Sequence, residues 1–198
     1  MRHIRRNERG QLTIGDHIAV DLAERFGTPL YVYSGDGLVA HYAAFASAVS
    51  ELDCVVHYAV KANSSLGVLG LLAQQGAGAD IVSGGEMKRA LIAGIAPDKI
   101  VFSGVGKTDD EIRAALQAGI AQINAESATE LRHISQIAAE TERQAPVALR
   151  VNVNVDPGSH AKISTGQRST KFGIPVADGE AAMLYHHCLL YTSPSPRD

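Results

Sequence analysis

From Cys54 onward the chain alternates short apolar, β-prone runs with segments whose apolar residues recur at helical spacing. The strand candidates are Cys54–Val60, Ala79–Val82, Lys99–Phe102, Ile120–Asn124 and Val147–Val153. Helices are predicted near 65–75, 86–93, 109–118 and 128–141. Leu66, Leu69 and Leu72 share one helical face, as do Ile112 and Leu116. Gly76, Gly94 and Gly119 stand where glycine ends a helix. Ser83-Gly-Gly-Glu86, Thr108-Asp-Asp-Glu111 and Ser127-Ala-Thr-Glu130 fit the S/T-x-x-E capping box, in which the hydroxyl caps the first turn and the glutamate returns to the cap.

A repeated strand, short loop and boxed helix is a βα series, and right-handed crossovers make its sheet parallel. The strand ends fall near Lys61, Ser83, Ser103, Asn124 and Asn152, roughly 20–28 residues apart. This suits a (β/α)8 barrel of about 250 residues. Five strands are visible, so the expectation is an α/β chain carrying a barrel cut short or an open sheet. A doubly wound sheet is the alternative, because strand order is not readable from sequence.

Ahead of this series, Ile18–Phe26 reads as an amphipathic helix stopped by Gly27-Thr28-Pro29. Leu30–Tyr33 reads as a strand, and Ser34 as the cap of a helix running to about Leu52. Residues 1–33 are expected to belong to a second, β domain, and 34–187 to the partial barrel. Residues 188–198 have no periodicity and no place in a βα series; they are read as a non-native junction or read-through, with an ordinary disordered terminus as the alternative.

Composition narrows the class. The 198 residues are 45% apolar and 20% charged, which suits a globular protein with a sizeable core. A net charge of -3 argues against a dedicated nucleic-acid binder. No apolar run approaches the ~18 residues of a membrane span. Two cysteines, Cys54 and Cys188, do not make a disulfide framework, so a reducing cytoplasm is the expected compartment.

The candidate chemistry centres on His57-Tyr-Ala-Val-Lys61-Ala-Asn63. Its lysine follows an apolar run and precedes a polar turn. A primary amine at a strand's C-terminal end is placed to form a Schiff base, and partial burial would favour the neutral, nucleophilic amine. The plain alternative is a lysine snorkelling from a strand end. Asp80 and Glu86 can likewise be an ordinary strand-end carboxylate and the third residue of a capping box. Arg150 stands in an apolar strand, where an unpaired charge is costly, so a partner such as Asp80, Glu86 or a cofactor is expected.

Two motifs fail on inspection. Gly104-Val-Gly-Lys-Thr108 is like a phosphate loop, but the first glycine of that motif would fall at Val101, mid-strand, so nucleotide binding is rejected. His186-His187-Cys188 offers metal-type atoms that diverge on a helix, so no metal site is expected.

Six stretches in register then point to a family. They are Phe26-Gly-Thr-Pro-Leu-Tyr-Val-Tyr33, Tyr58-Ala-Val-Lys-Ala-Asn63, Ala79-Asp-Ile-Val-Ser-Gly-Gly-Glu86, Ile100-Val-Phe-Ser-Gly-Val-Gly-Lys-Thr108, Leu149-Arg-Val-Asn152, and His160-Ala-Lys-Ile-Ser-Thr-Gly166 with Lys171-Phe-Gly-Ile174. Over roughly residues 12–187 the chain resembles the diaminopimelate decarboxylases, among the alanine racemase-like, fold-type III pyridoxal-phosphate enzymes.

The resemblance implies pyridoxal 5′-phosphate as cofactor, a small amino-acid substrate (meso-diaminopimelate, giving L-lysine) and a homodimer with shared active sites. It implies Lys61 as the lysine that carries the cofactor, with Ala59 beside the ring. It implies Asp80 and Glu86 polarising that lysine or holding its network, Arg150 reaching toward the cofactor, and His160 near the mouth. The family also uses a ring-stacking histidine, a glycine-rich phosphate loop, a glutamate facing the pyridine nitrogen and a cysteine from the other subunit. These are expected beyond residue 198, so the chain alone is expected to be inactive. Ala161-Lys162 departs from the family's usual proline and tyrosine.

Other fold-type III decarboxylases, acting on ornithine, arginine or carboxynorspermidine, are the nearest alternatives; His160-x-x-Ile163-x-Thr165-Gly166 speaks for the diaminopimelate group. Asn63-Ser-Ser-Leu66 speaks against an alanine racemase. A non-enzymatic cofactor carrier and a plain βα scaffold are the remaining readings.

Overall fold

The computed structural model describes residues 3–152 and 173–175. It opens with a small antiparallel sheet of β1 (Ile4–Arg6), β2 (Leu12–Ile14) and β3 (His17–Ile18), in that order. The β1–β2 link turns on Asn7, whose Oδ1 accepts from the backbone N–H groups of Arg9 and Gln11 at 3.1 and 2.9 Å. Helix α1 (Ala19–Phe26) begins one residue later than predicted and stops at Gly27.

Leu30–Tyr33 is not a strand, contrary to the sequence reading; its tyrosines are exposed and it has no ladder partner among the described residues. Apolar, β-prone residues define a strand only where a sheet edge accepts their backbone. Helix α2 (Gly35–Ala48) is capped as expected by Ser34, whose Oγ accepts from Gly37 N–H. It ends before Leu52, where Ser50 Oγ donates to Ser47 O and offers the backbone an alternative to the helix.

The main body follows the predicted series: β4 (His57–Ala59), α3 (Leu66–Gln74), β5 (Gly78–Ile81), α4 (Gly84–Ile92), β6 (Ile100–Phe102), α5 (Asp109–Ala118), β7 (Gln122–Ala125), α6 (Ala128–Glu140) and β8 (Val147–Leu149). Gly76, Gly94 and Gly119 all take positive φ at the helix ends. Leu69 and Leu72 are buried, but Leu66, in the first turn of α3, faces solvent.

The boxed caps differ in detail. Thr108 and Glu111 form the full reciprocal box. Ser83 and Ser127 also cap their helices, but Glu86 and Glu130 reach one residue further back, to Val82 N–H and Glu126 N–H, each at 2.7 Å.

Strand order settles the alternative that sequence left open. The five strands run β4-β5-β6-β7-β8, every neighbour pair parallel. A doubly wound sheet reverses its winding and carries helices on both faces. Here the order never reverses, and the helices cover one face, as in a (β/α)8 barrel. Ala79, Ile81, Ile100, Phe102, Ile123 and Ala125 project into that covered face and are fully buried against α4, α5 and α6. Burying each larger side chain contributes about 1.5–3 kcal/mol.

Beyond β8 the predicted strand divides at Arg150 into β9 (Val151–Asn152), which pairs in parallel with β10 (Ile174–Pro175). Gly173 enters β10 at φ 77, where a Cβ would stand 3.1 Å from Arg150 O, so this position requires glycine both for its backbone and for its neighbour.

Candidate functional site

The C-terminal ends of β4 to β8 form one rim. At β4, Ala59 ends the strand and Val60, fully buried, anchors a single 3-10 turn over Val60–Ala62. The turn is held from several sides. Tyr58 Oη donates to Asn63 O at 3.3 Å, Asn63 Oδ1 accepts from Ser65 N–H at 2.9 Å, and Arg89 Nη1 donates to Ser64 O at 3.3 Å. Burial, and then the neighbouring Tyr33, push the Tyr58 phenol above its ordinary value, which keeps it a donor.

Lys61 rides this turn. It is exposed, where the sequence reading placed it in partial burial. The turn lies at the rim, past the end of β4, where burial by the helix layer stops. Among the described residues its side chain makes no hydrogen bond or ion pair, so its amine is open to condensation with a carbonyl.

The sheet face turned away from the helices carries a row of polar side chains among small and apolar ones. Ala59 and Asp80 are register partners on β4 and β5 and lie on this face together. From Asp80 a hydrogen-bonded chain crosses to β7. Ser103 Oγ donates to Asp80 Oδ1 at 2.5 Å, Asn124 Nδ2 donates to Ser103 Oγ at 3.0 Å, and Gln122 Nε2 donates to Asn124 Oδ1 at 2.6 Å. The sequence reading marked Ser103 and Asn124 as strand ends without assigning them a role. Their polarity at the end of apolar strands was the available signal.

A second network occupies the loops above β6, β7 and β8. The Glu126 carboxylate is buried, accepts from Gly104 N–H at 2.9 Å, and holds Arg150 Nη1 with both oxygens at 3.1 Å. Among the described residues Arg150 is thus paired with Glu126, and not with Asp80 or Glu86. Beside it Lys107, its side chain 1% exposed, donates to Gly104 O, Asn124 O and Glu130 Oε1. This buried lysine ties two loops together, its donors spent on protein acceptors.

The predicted site residues thus divide. Lys61, Ala59, Asp80 and Arg150 stand on the rim or the open face, while the Glu86 carboxylate is engaged on Val82 N–H at the start of α4. No hydrogen bond or ion pair joins Lys61 to Asp80 or Glu86 among the described residues. His160 lies outside the described residues, as do Ala161, Lys162, His186, His187 and residues 188–198. The residues present fit an aldehyde cofactor: an accessible primary amine at the strand ends, beside a small residue and an anchored carboxylate.

Comparison with known proteins agrees with this geometry. The family described as pyridoxal-dependent decarboxylase, pyridoxal binding domain, matches residues 36–189. A diaminopimelate decarboxylase of Pseudomonas fluorescens is 53% identical over 176 residues, 88% of this chain and 42% of that protein. The crystal structure of diaminopimelate decarboxylase from M. jannaschii superposes with a TM-score of 0.87 at 38% identity, covering 96% of this chain and 45% of that one. Its co-complex with L-lysine gives 0.86 at 39%, covering 95% and 44%. The chain therefore spans less than half the length of the relatives it matches.

Proposed function

The chain belongs to the pyridoxal-dependent decarboxylase family, and we propose that the whole protein decarboxylates meso-2,6-diaminopimelate to L-lysine and carbon dioxide. The observation that carries this reading is the Lys61 amine, exposed and without a partner among the described residues, at the C-terminal rim of a singly wound parallel sheet. Catalytic groups of such barrels stand at that rim. The likeness to diaminopimelate decarboxylases supports the substrate.

Pyridoxal phosphate, when bound, supplies an electron sink for the negative charge left as carbon dioxide departs. The chain's own residues hold and orient. Lys61 is the covalent attachment point, and the clamped turn over Val60–Ala62 fixes where its backbone stands. Ala59 leaves space on the open face beside Asp80, which offers a carboxylate to an amine or N–H donor there. Arg150, held by Glu126, brings positive charge to the rim for an anionic group of cofactor or substrate. Glu86 acts through the start of α4, and His160 is assigned to the mouth.

The same reading takes the protein as a cytoplasmic homodimer. No helix among the described residues is long and apolar enough to cross a membrane. Residues 1–33 are read as part of a β domain, which the antiparallel β1–β3 sheet supports, residues 34–187 as barrel, and 188–198 as a tail.

Borohydride trapping of the whole protein followed by peptide mapping tests the reading. Label on Lys61, with L-lysine formed from diaminopimelate in preference to decarboxylation of ornithine or arginine, is the expected result. Label elsewhere, or nowhere, would overturn it.

A further inference from the structure

The polar chain on the open face has a fixed direction. A carboxylate can only accept, so the single Ser103 proton is committed to Asp80 Oδ1. The Ser103 lone pairs then face β7, and Asn124 must present its NH2 group to them. That turns the Asn124 carbonyl to Gln122, which must present its own NH2 group. Each amide is held in one of its two orientations by the next, and the charge of Asp80 sets the sense of all three bonds.

The arrangement also restrains Asp80. A carboxylate's last torsion is broad and roughly two-fold, so an unanchored one samples many orientations. Here Oδ1 is pinned from β6, and among the described residues Oδ2 takes no hydrogen bond. One oxygen is held by the scaffold while the other is left for whatever binds over the face. Ser103 directly follows β6, and Asn124 and Gln122 lie on β7; the covered faces of these two strands carry Phe102 and Ile123, fully buried. The restraint is thus built on strands anchored in the core.

We propose that Ser103 and Asn124 are positioning residues that fix the Asp80 carboxylate for the pyridoxal-phosphate chemistry at Lys61, with Gln122 closing the chain by donating to the Asn124 carbonyl. The proposal rests on the function proposed above. Neither residue touches the reacting atoms; both act through Asp80.

The test uses the whole protein, stripped of cofactor and mixed with pyridoxal phosphate. The rate of appearance of the imine absorbance is read together with kcat and KM. Ser103→Ala removes the donor to Asp80. Asn124→Asp is isosteric but replaces the NH2 group by a second acceptor that competes for the Ser103 proton. Both are expected to slow cofactor capture and kcat by about tenfold or more, with KM changed less than about threefold, as befits loss of a hydrogen bond to a charged group. Ser103→Thr keeps the hydroxyl and is expected to stay within about threefold of the parent.

Parent rates in folded Ser103→Ala and Asn124→Asp would overturn the proposal, as would equal losses in Ser103→Thr. Failure of both variants to fold would overturn it too, in favour of a purely structural role. If the parent protein itself carries no label at Lys61, the proposed function fails; a labelled parent with unaffected variants sinks only the positioning role.

Discussion

The two faces of the β4–β8 sheet are built from alternate residues of the same strands, yet they have opposite chemistry. On the covered face Ile81, Phe102 and Ile123 are fully buried beneath α4, α5 and α6. On the open face Asp80, Ser103 and Asn124 are half-buried and bonded to one another. A one-residue slip would exchange the faces, so the burial of Phe102 is also what places Ser103 beside Asp80. The core lies on one side of the sheet and the proposed site on the other, joined by the backbone of the same strands.

That division makes opposite demands on substitutions. Lys61→Ala should abolish cofactor attachment and lower decarboxylation by about a thousandfold or more. Because Lys61 is exposed and makes no bond among the described residues, the thermal midpoint of the cofactor-free protein should stay where it was. Absorbance of bound cofactor and a melting curve on the same sample check both halves.

Phe102→Ala should do the reverse. Removing this fully buried ring leaves a cavity under three helices and costs about 3–5 kcal/mol, measured by denaturant unfolding. Gln122→Ala, at the far end of the polar chain on the opposite face, should cost no more than about 1 kcal/mol. Comparable losses in the two variants would break the comparison.

The loops above the strands are a third case, polar yet sealed. Lys107→Met should cost about 3 kcal/mol, because it strands the Glu130 carboxylate and leaves the carbonyls of Gly104 and Asn124 without this donor. Glu130 keeps Glu126 N–H, which holds the loss to the lower end for a broken buried pair. If Lys107→Met unfolds at the parent denaturant concentration, the network is dispensable and the rim is held by packing alone.

What was legible in the sequence follows from range. Caps, terminal glycines and apolar spacing act within a few residues, so α3 to α6 fell where their local signals put them. Leu30–Tyr33 carried the same local signal as a strand but found no partner, and pairing is a long-range fact. Strand order, hence the choice between barrel and doubly wound sheet, was beyond sequence for that reason. The positions of Lys61 and Asp80 near strand ends were readable from the sequence, and the family likeness is what proposes roles for them. Their surroundings were not: Ser103, Asn124 and Gln122 become neighbours of Asp80 only once β5, β6 and β7 lie side by side. Arg150 shows the boundary well, since its position demanded a partner but could not point to Glu126.

The smallest effect expected concerns Glu111, which joins two successive βα units. Its Oε1 accepts from Gly84 N–H at the start of α4, and its Oε2 accepts from Thr108 N–H and Oγ1 at the start of its own helix. The Gly84 N–H, and then the Thr108 N–H, hold its carboxyl below the ordinary glutamate value, with burial opposing them. A folded value below the unfolded one means that folding binds fewer protons at this site. The stabilisation is complete above the unfolded value of about 4.3 and is lost as pH falls through the lower folded one. Melting temperature followed downward from pH 6 should therefore fall more steeply in the parent than in Glu111→Gln, which cannot titrate. The difference between the two curves isolates this carboxylate from the other acids. A difference that stays constant through that range would show that the α4–α5 tie does not depend on the charge of Glu111, and that helix packing alone keeps the two strand ends in line.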